Sequence, residues 1–204
     1  MLKKICDGIA AGLMISIGGC VYMSCDPKYV GAILFSAGLL TICVRGYSLF
    51  TGKVGFLAFD HGREALSVLF LGLLGNFIAT LLAGLAVRVA LPNIAEAALT
   101  ACNAKLTQTF AAALIRGILC GVLMYAAVSI YKSAHNIAGI ILCIPVFILS
   151  GFEHSIADMF YFAASGIVSL KAFGYIWIII LGNAIGALIL PCMEKVGTKE
   201  SVHE

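Results

Sequence analysis

The sequence predicts an all-α integral membrane protein: six transmembrane helices in two inverted halves, with the second and fifth helices broken. Three observations predict it. The 204-residue chain is 62% apolar and 11% charged, with a mean hydropathy of +1.07. An ordinary soluble domain is about a quarter charged, so a chain this apolar must face lipid. Six runs approach the roughly 20 apolar residues that cross a bilayer core, at about 5–24, 28–50, 65–90, 105–131, 137–162 and 173–192. Finally, "LGLLGNFIATLLAG" in the third run echoes "IIILGNAIGALIL" in the sixth, placing Asn76 and Asn183 107 residues apart.

The first run begins "MLKKICDGIAAG", two lysines ahead of an apolar stretch. That resembles a secretory signal, but equally apolar runs follow, so it reads as a retained first membrane helix. In the second, Asp26 can cap and Pro27 can open the helix. Pro92 is expected to close the third and Pro191 the sixth, and Pro145 to bend the fifth. The whole chain reads as one transmembrane domain, 1–204, with halves of about 1–92 and 105–193. Two halves of three helices each have opposite orientation, the inverted-repeat plan in which a site forms at the midplane from interrupted helices.

Lys and Arg near helix ends set the orientation. With both termini cytoplasmic, Lys3, Lys4, Lys53, Arg63, Lys132, Lys195 and Lys199 fall inside. Lys28, Arg88, Lys105 and Lys171 then fall outside. The bias favours cytoplasmic termini. The net charge of +3 is too small and dispersed for a nucleic-acid surface. The eight cysteines form no C-x-x-C pair and lie mostly in apolar runs, as buried free thiols do. No metal or other cofactor is expected.

The interruptions carry the chemistry. The second run reaches "RGYSLFTGK", with Gly46, Ser48, Thr51, Gly52 and Lys53. The fifth reaches "LSGFEHSIADMF", with Ser150, Gly151, Glu153, His154 and Asp158. Broken backbone at membrane depth is tolerated only where protein or water covers it. Ser150-x-x-Glu153 has the spacing of a capping box, which would restart the fifth helix. His154 follows the break directly. A histidine bonded between helices as packing glue is the plain alternative, but an intramembrane ionisable residue beside a helix break is a functional candidate. Arg45 and Arg116 read as structural, while Asp7, Asp26, Asp60, Arg63, Glu64 and the tail read as solvated interface. His61, His135 and His203 fall in loops or tail.

These residues resemble the formate/nitrite transporter family, which includes hydrosulfide channels. "GFEHSIADMF" is similar to the family's G-F-E-H-S-I-A-N-M-F signature, "LFTGK" to its L-F-T-G-N loop, and "KLTQTFAAALIRGILCG" to its fourth-helix pattern. The resemblance implies an aquaporin-like fold, a homopentamer with one pore per protomer in a prokaryotic inner membrane, and passage of formate, nitrite or hydrosulfide. It implies that His154 is the central histidine, Thr51 the threonine facing it, and Lys105 a lysine that draws anions to a vestibule. Leu39 and Phe50 on one side, and Phe147 on the other, match the apolar constrictions. Four positions depart from the pattern: Gly121 and Asp158 stand where Asn is expected, Ser48 where an acid is expected, and Lys53 where Asn follows the L-F-T-G loop. Gly121 replaces a polar neighbour of the histidine.

Such a site would pass anions with histidine assistance, pH-sensitively and with possible proton coupling. A neutral-solute pore needs neither a midplane histidine nor a mouth lysine. A membrane anchor for an enzyme, or an enzyme itself, calls for ligands paired across helices or a nucleophile, and none is visible.

Overall fold

The computed structural model describes backbone for residues 1–200 and side chains for 1–196. His203 lies outside the described residues, as does the side chain of Lys199. The described residues are helical and contain no strand. α1 (Leu2–Ser24) is followed by α2 (Lys28–Arg45), the short α3 (Phe50–Lys53) and a 3-10 turn at Val54–Ala58. α4 (Arg63–Ala90), α5 (Pro92–Leu106) and α6 (Phe110–Ala134) come next, then α7 (Ala138–Leu149), α8 (Ser155–Ser165) and α9 (Leu170–Glu200). Among these residues, five helices (α1, α2, α4, α6, α9) are long and apolar enough to cross a membrane, and α7 is a shorter apolar helix.

The two halves are built alike. α1 packs along α4 as α6 packs along α9, and α2 meets α7 between them. The segment after each break packs on the long third helix of the other half: α8 on α4, and the 3-10 turn on α9. Small residues let these backbones close up. A Cβ on Gly117 would stand 3.2 Å from the Gly182 Cα, which is the close approach that small-residue helix faces permit without a hydrophobic drive from water.

Both breaks turn on a left-handed glycine, Gly46 (φ 71°) and Gly151 (φ 70°), a backbone region open to glycine at little cost. Both are then held by an asparagine. Asn76 donates to the Gly8 and Ser48 carbonyls (2.8 and 2.9 Å) and accepts from the Phe50 N–H (3.0 Å). Asn183 donates to the Gly117 and Glu153 carbonyls (both 2.8 Å) and accepts from the Ser155 N–H (2.8 Å). Each asparagine therefore ties the first helix of its half to the broken backbone and caps the helix that restarts. The Ser48 N–H donates to the Asp7 carbonyl, and the Glu153 N–H to that of Arg116. The backbone freed at each break is thus satisfied inside the protein, as an apolar surrounding demands.

Lys4 of α1 and Lys195 of α9 both reach the stretch between the 3-10 turn and the start of α4. Lys4 pairs with Glu64 at 2.8 Å, and Lys195 Nζ reaches the Ala58 carbonyl at 3.1 Å.

Several expectations need correction. The run at 105–131 is not one helix: Lys105 lies near the end of α5, and α6 starts afresh with Thr109 Oγ1 accepting from the Ala112 N–H (3.2 Å). Pro92 does follow the end of α4, but it also opens α5, where its missing N–H costs nothing. Pro191 does not end the last helix, which runs on to Glu200. Pro27, not Asp26, sits at the cap of α2, and no side chain caps there. Ser150-x-x-Glu153 forms no capping box: Ser150 terminates α7, and α8 begins at Ser155 with His154 as its cap.

Candidate functional site

The two restarted helices bring Thr51 and His154 together. Thr51 is the second residue of α3 and His154 caps α8. Thr51 Oγ1 lies 2.8 Å from His154 Nε2, and both residues are buried. His154 Nδ1 accepts from the Ala157 N–H at 3.2 Å. A neutral imidazole has one donor and one acceptor nitrogen. With Nδ1 accepting, the proton lies on Nε2, which donates to Thr51 Oγ1. The Thr51 hydroxyl proton is then free to point elsewhere. A proton added at Nδ1 would face the Ala157 N–H and break the α8 cap.

Phe147 lies over the imidazole, ring centroids 5.7 Å apart and planes 23° apart, and Phe35 meets Phe147 edge-on at 6.4 Å. The ring stack closes a cavity of about 430 Å³. Its lining includes Lys105, Gln108, Arg116, Glu153, His154 and Asp158. A second cavity of about 60 Å³ borders Gly52, next to Thr51, together with Leu39, Lys53 and Lys132. The two share no lining residue. Leu39 lines the smaller one, and Phe50, the residue before Thr51, is buried.

The structure gives the remaining candidates different surroundings from those expected. Lys105 does not stand open at a mouth. Its ammonium is bonded to Glu153 and lies 3.0 Å from Asp158 Oδ1. Glu153 is not a helix cap; besides Lys105 it accepts from Gln108 Nε2 at 2.9 Å. Gly121 lies at a helix–helix contact. It sits in the α6–α9 contact, where a Cβ would collide with the Asn183 carbonyl oxygen and stand 2.9 Å from the Ala187 nitrogen. Gly151 makes the left-handed turn of the break.

Arg116 was read as structural, yet its side chain lines the larger cavity, is exposed, and makes no hydrogen bond or ion pair with another described residue. Its position in an apolar run hid this. Of the loop histidines, His135 ends α6 in the left-handed region (φ 48°) and His61 is exposed. All eight cysteines are free thiols, and no three His, Cys, Asp or Glu among the described residues cluster as metal ligands.

The formate/nitrite transporter family profile matches residues 1–195. The chain is 32% identical over 184 residues to the formate channel FocA of Escherichia coli (strain K12), covering 78% of this chain and 65% of that one. It is 30% identical over 171 residues to the nitrite transporter NirC of the same strain, covering 78% and 63%. The chain thus spans about two thirds of the length of these relatives. Among solved structures it is similar to a pentameric formate channel with formate bound (TM-score 0.81, 23% identity, 97% of each chain). It is also similar to an FNT family ion channel (TM-score 0.80, 24% identity, 97% of this chain and 90% of that one). Residues, fold and family profile agree: this chain belongs to the formate/nitrite transporter family.

Proposed function

We propose that the protein is a channel or transporter for small monovalent anions, with formate, nitrite or hydrosulfide as substrates and the Thr51–His154 pair as the central step. The reading rests on one observation: two helices broken at equivalent points restart at a hydrogen-bonded Thr51–His154 pair, with an aqueous-sized cavity reaching the histidine. A bare anion in low dielectric is costly, of order 20 kcal/mol before relaxation. An Nε2–H and a threonine hydroxyl that meet it as donors offset part of that cost, and passage beside a titratable donor makes flux pH-sensitive, with the anion moving alone or with a proton. The starts of α3 and α8 add partial positive charge. Phe147, Leu39 and Phe50 keep the crossing narrow and dry.

The chain forms one transmembrane domain of six crossings, the fifth made of α7 and α8 in series. It sits in a prokaryotic inner membrane with both termini cytoplasmic, as a homopentamer with one pore in each protomer. The shared face of Lys4 and Lys195 supports an even number of crossings. Proteoliposome uptake compared across formate, nitrite, hydrosulfide, acetate and lactate tests the substrate. Uptake of the first three that needs His154, with acetate and lactate excluded, is the expected pattern. Equal uptake of a neutral solute such as glycerol, untouched by loss of His154, would replace it with a neutral-solute pore.

A further inference from the structure

The buried charges beside the larger cavity do not balance among themselves; Arg116 also lines it but is exposed. One ammonium, Lys105, contacts two carboxylates, Glu153 and Asp158. The side chains of Glu153 and Asp158 are 4% and 1% exposed, and that of Lys105 is 16% exposed. The two carboxylates differ in their hydrogen bonds. Both oxygens of Glu153 are bonded, one to Lys105 and one to Gln108. Asp158 Oδ1 faces Lys105, while Oδ2 is buried with no partner and Asp158 borders the cavity. A buried carboxylate oxygen with nothing to accept from is costly. Two carboxylates on one cation leave a surplus negative charge in the path of an anion.

We infer that Asp158 is a proton-binding site of this vestibule, and that an anion is admitted to the cavity when the Asp158 carboxyl carries its proton. This rests on the anion-channel reading above. Ionised, Oδ2 presents a negative charge to an entering anion and repels it. A proton drawn from water of the cavity converts the same atom into an O–H donor. The cluster then holds one ammonium, one carboxylate and one carboxylic acid, and the surplus charge is gone. Two carboxyls competing for one cation titrate as a pair, and Glu153, with both oxygens engaged, keeps the ionised role.

The groups around Asp158 fit this assignment. α5 contributes Lys105 and Cys102, α6 contributes Arg116 and Cys120, and the break contributes Glu153 and His154. Tyr161 of α8, Tyr175 of α9 and Tyr22 of α1 supply phenols. Arg116 alone could offset the surplus, but it is exposed to solvent that screens it, whereas Asp158 is not. An aspartate where the family motif carries asparagine thus adds a titratable carboxyl that the motif lacks.

Infrared difference spectroscopy of the full chain in liposomes reads the proton directly. Across a pH titration the parent should show a protonated-carboxyl C=O band that shifts when aspartate is 13C-labelled at the carboxyl and is absent from Asp158→Asn. The other aspartates (Asp7, Asp26 and Asp60) are not fully buried. Glu153→Gln should also remove the band, because Lys105 then serves Asp158 alone and favours its ionised form. A band unmoved by aspartate labelling, or kept in Asp158→Asn, overturns the assignment, and labelling decides the matter even if the variant does not fold. Anion uptake gives the second reading: on the alkaline side the parent's flux should fall about tenfold more per pH unit than that of Asp158→Asn, the slope of one proton. Equal slopes overturn the link to anion entry. A band that behaves as expected in a protein carrying no anion would retain the proton site and remove the channel reading, so the two failures are separable.

Discussion

Thr51 Oγ1 and His154 Nε2 stand 2.8 Å apart across 103 residues of sequence. Neither half of the chain could build this contact alone, because each contributes one partner from the first turn of a restarted helix.

Replacing His154 tests that contact. His154→Leu removes both the donor to Thr51 and the acceptor that caps α8. Loss of the cap should cost about 1 kcal/mol, and anion uptake should be abolished. His154→Asn keeps a good cap residue and a donor, so the protein should assemble and retain part of its flux. It should lose the histidine's contribution to the pH profile, leaving that of Asp158, and His154→Asn combined with Asp158→Asn should be flat. Uptake of formate measured as a function of pH checks this. A folded, oligomeric His154→Asn protein whose flux tracks pH like the parent would refute the role.

Asn183 and Asn76 carry the two breaks, so each should be intolerant of alanine. Asn183→Ala strands the Glu153 carbonyl and the Ser155 N–H and removes the tie to the Gly117 carbonyl, which keeps its partner within α6. At about 1–3 kcal/mol for each buried group left unsatisfied, the loss should be several kcal/mol. Thermal unfolding in detergent should show a large fall in Tm for either variant. A Tm within experimental scatter of the parent would disprove the structural role.

Gly121→Ala should destabilise by about 1–3 kcal/mol, the usual cost of overpacking a tight contact. The obstacle is backbone of α9, which cannot rotate away as a side chain can. Gly121→Asn, which restores the family's residue, should be worse and yield little assembled protein. Size-exclusion profiles and Tm measure this. A Gly121→Asn protein that assembles normally and gains flux would refute the tight α6–α9 contact at this position.

Arg116 and Lys105 should separate into two kinds of variant. Arg116→Gln should raise the KM for anion uptake and weaken its dependence on ionic strength, because an exposed charge acts over a Debye length of about 10 Å at 0.1 M salt. Its Tm should change little. Lys105→Met removes the one ammonium shared by Glu153 and Asp158, and breaking a buried pair in this way costs about 3–5 kcal/mol. It should lower Tm sharply. The opposite ranking, with Lys105→Met stable and altered only in KM, would restore Lys105 as the recruiting cation.

Much of this protein was legible in the sequence. Lipid-facing helices follow from composition, because a chain with so few charges has no other way to cover itself. The two breaks follow from Gly46 and Gly151 among polar residues, since such residues interrupt an apolar run only where the backbone turns. The Thr51–His154 pairing came from motif resemblance, and in the fold the two side chains stand 2.8 Å apart. Spacing alone could not have found partners 103 residues apart.

What the tertiary structure decided is which partner each polar group takes. Ser150 and Glu153 have capping-box spacing, but α8 starts too late to use it, and the histidine caps instead. Lys105 looks like a free cation in sequence because both its carboxylates lie about fifty residues away. Arg116 looks buried because hydropathy averages over a helix and cannot tell a cavity-facing position from a packed one. Gly121 looks like a missing polar group until α9 is seen against it. Local sequence determines where backbone can bend and which runs can enter lipid. Charge pairing and close packing join distant segments in space, so only the assembled fold settles them.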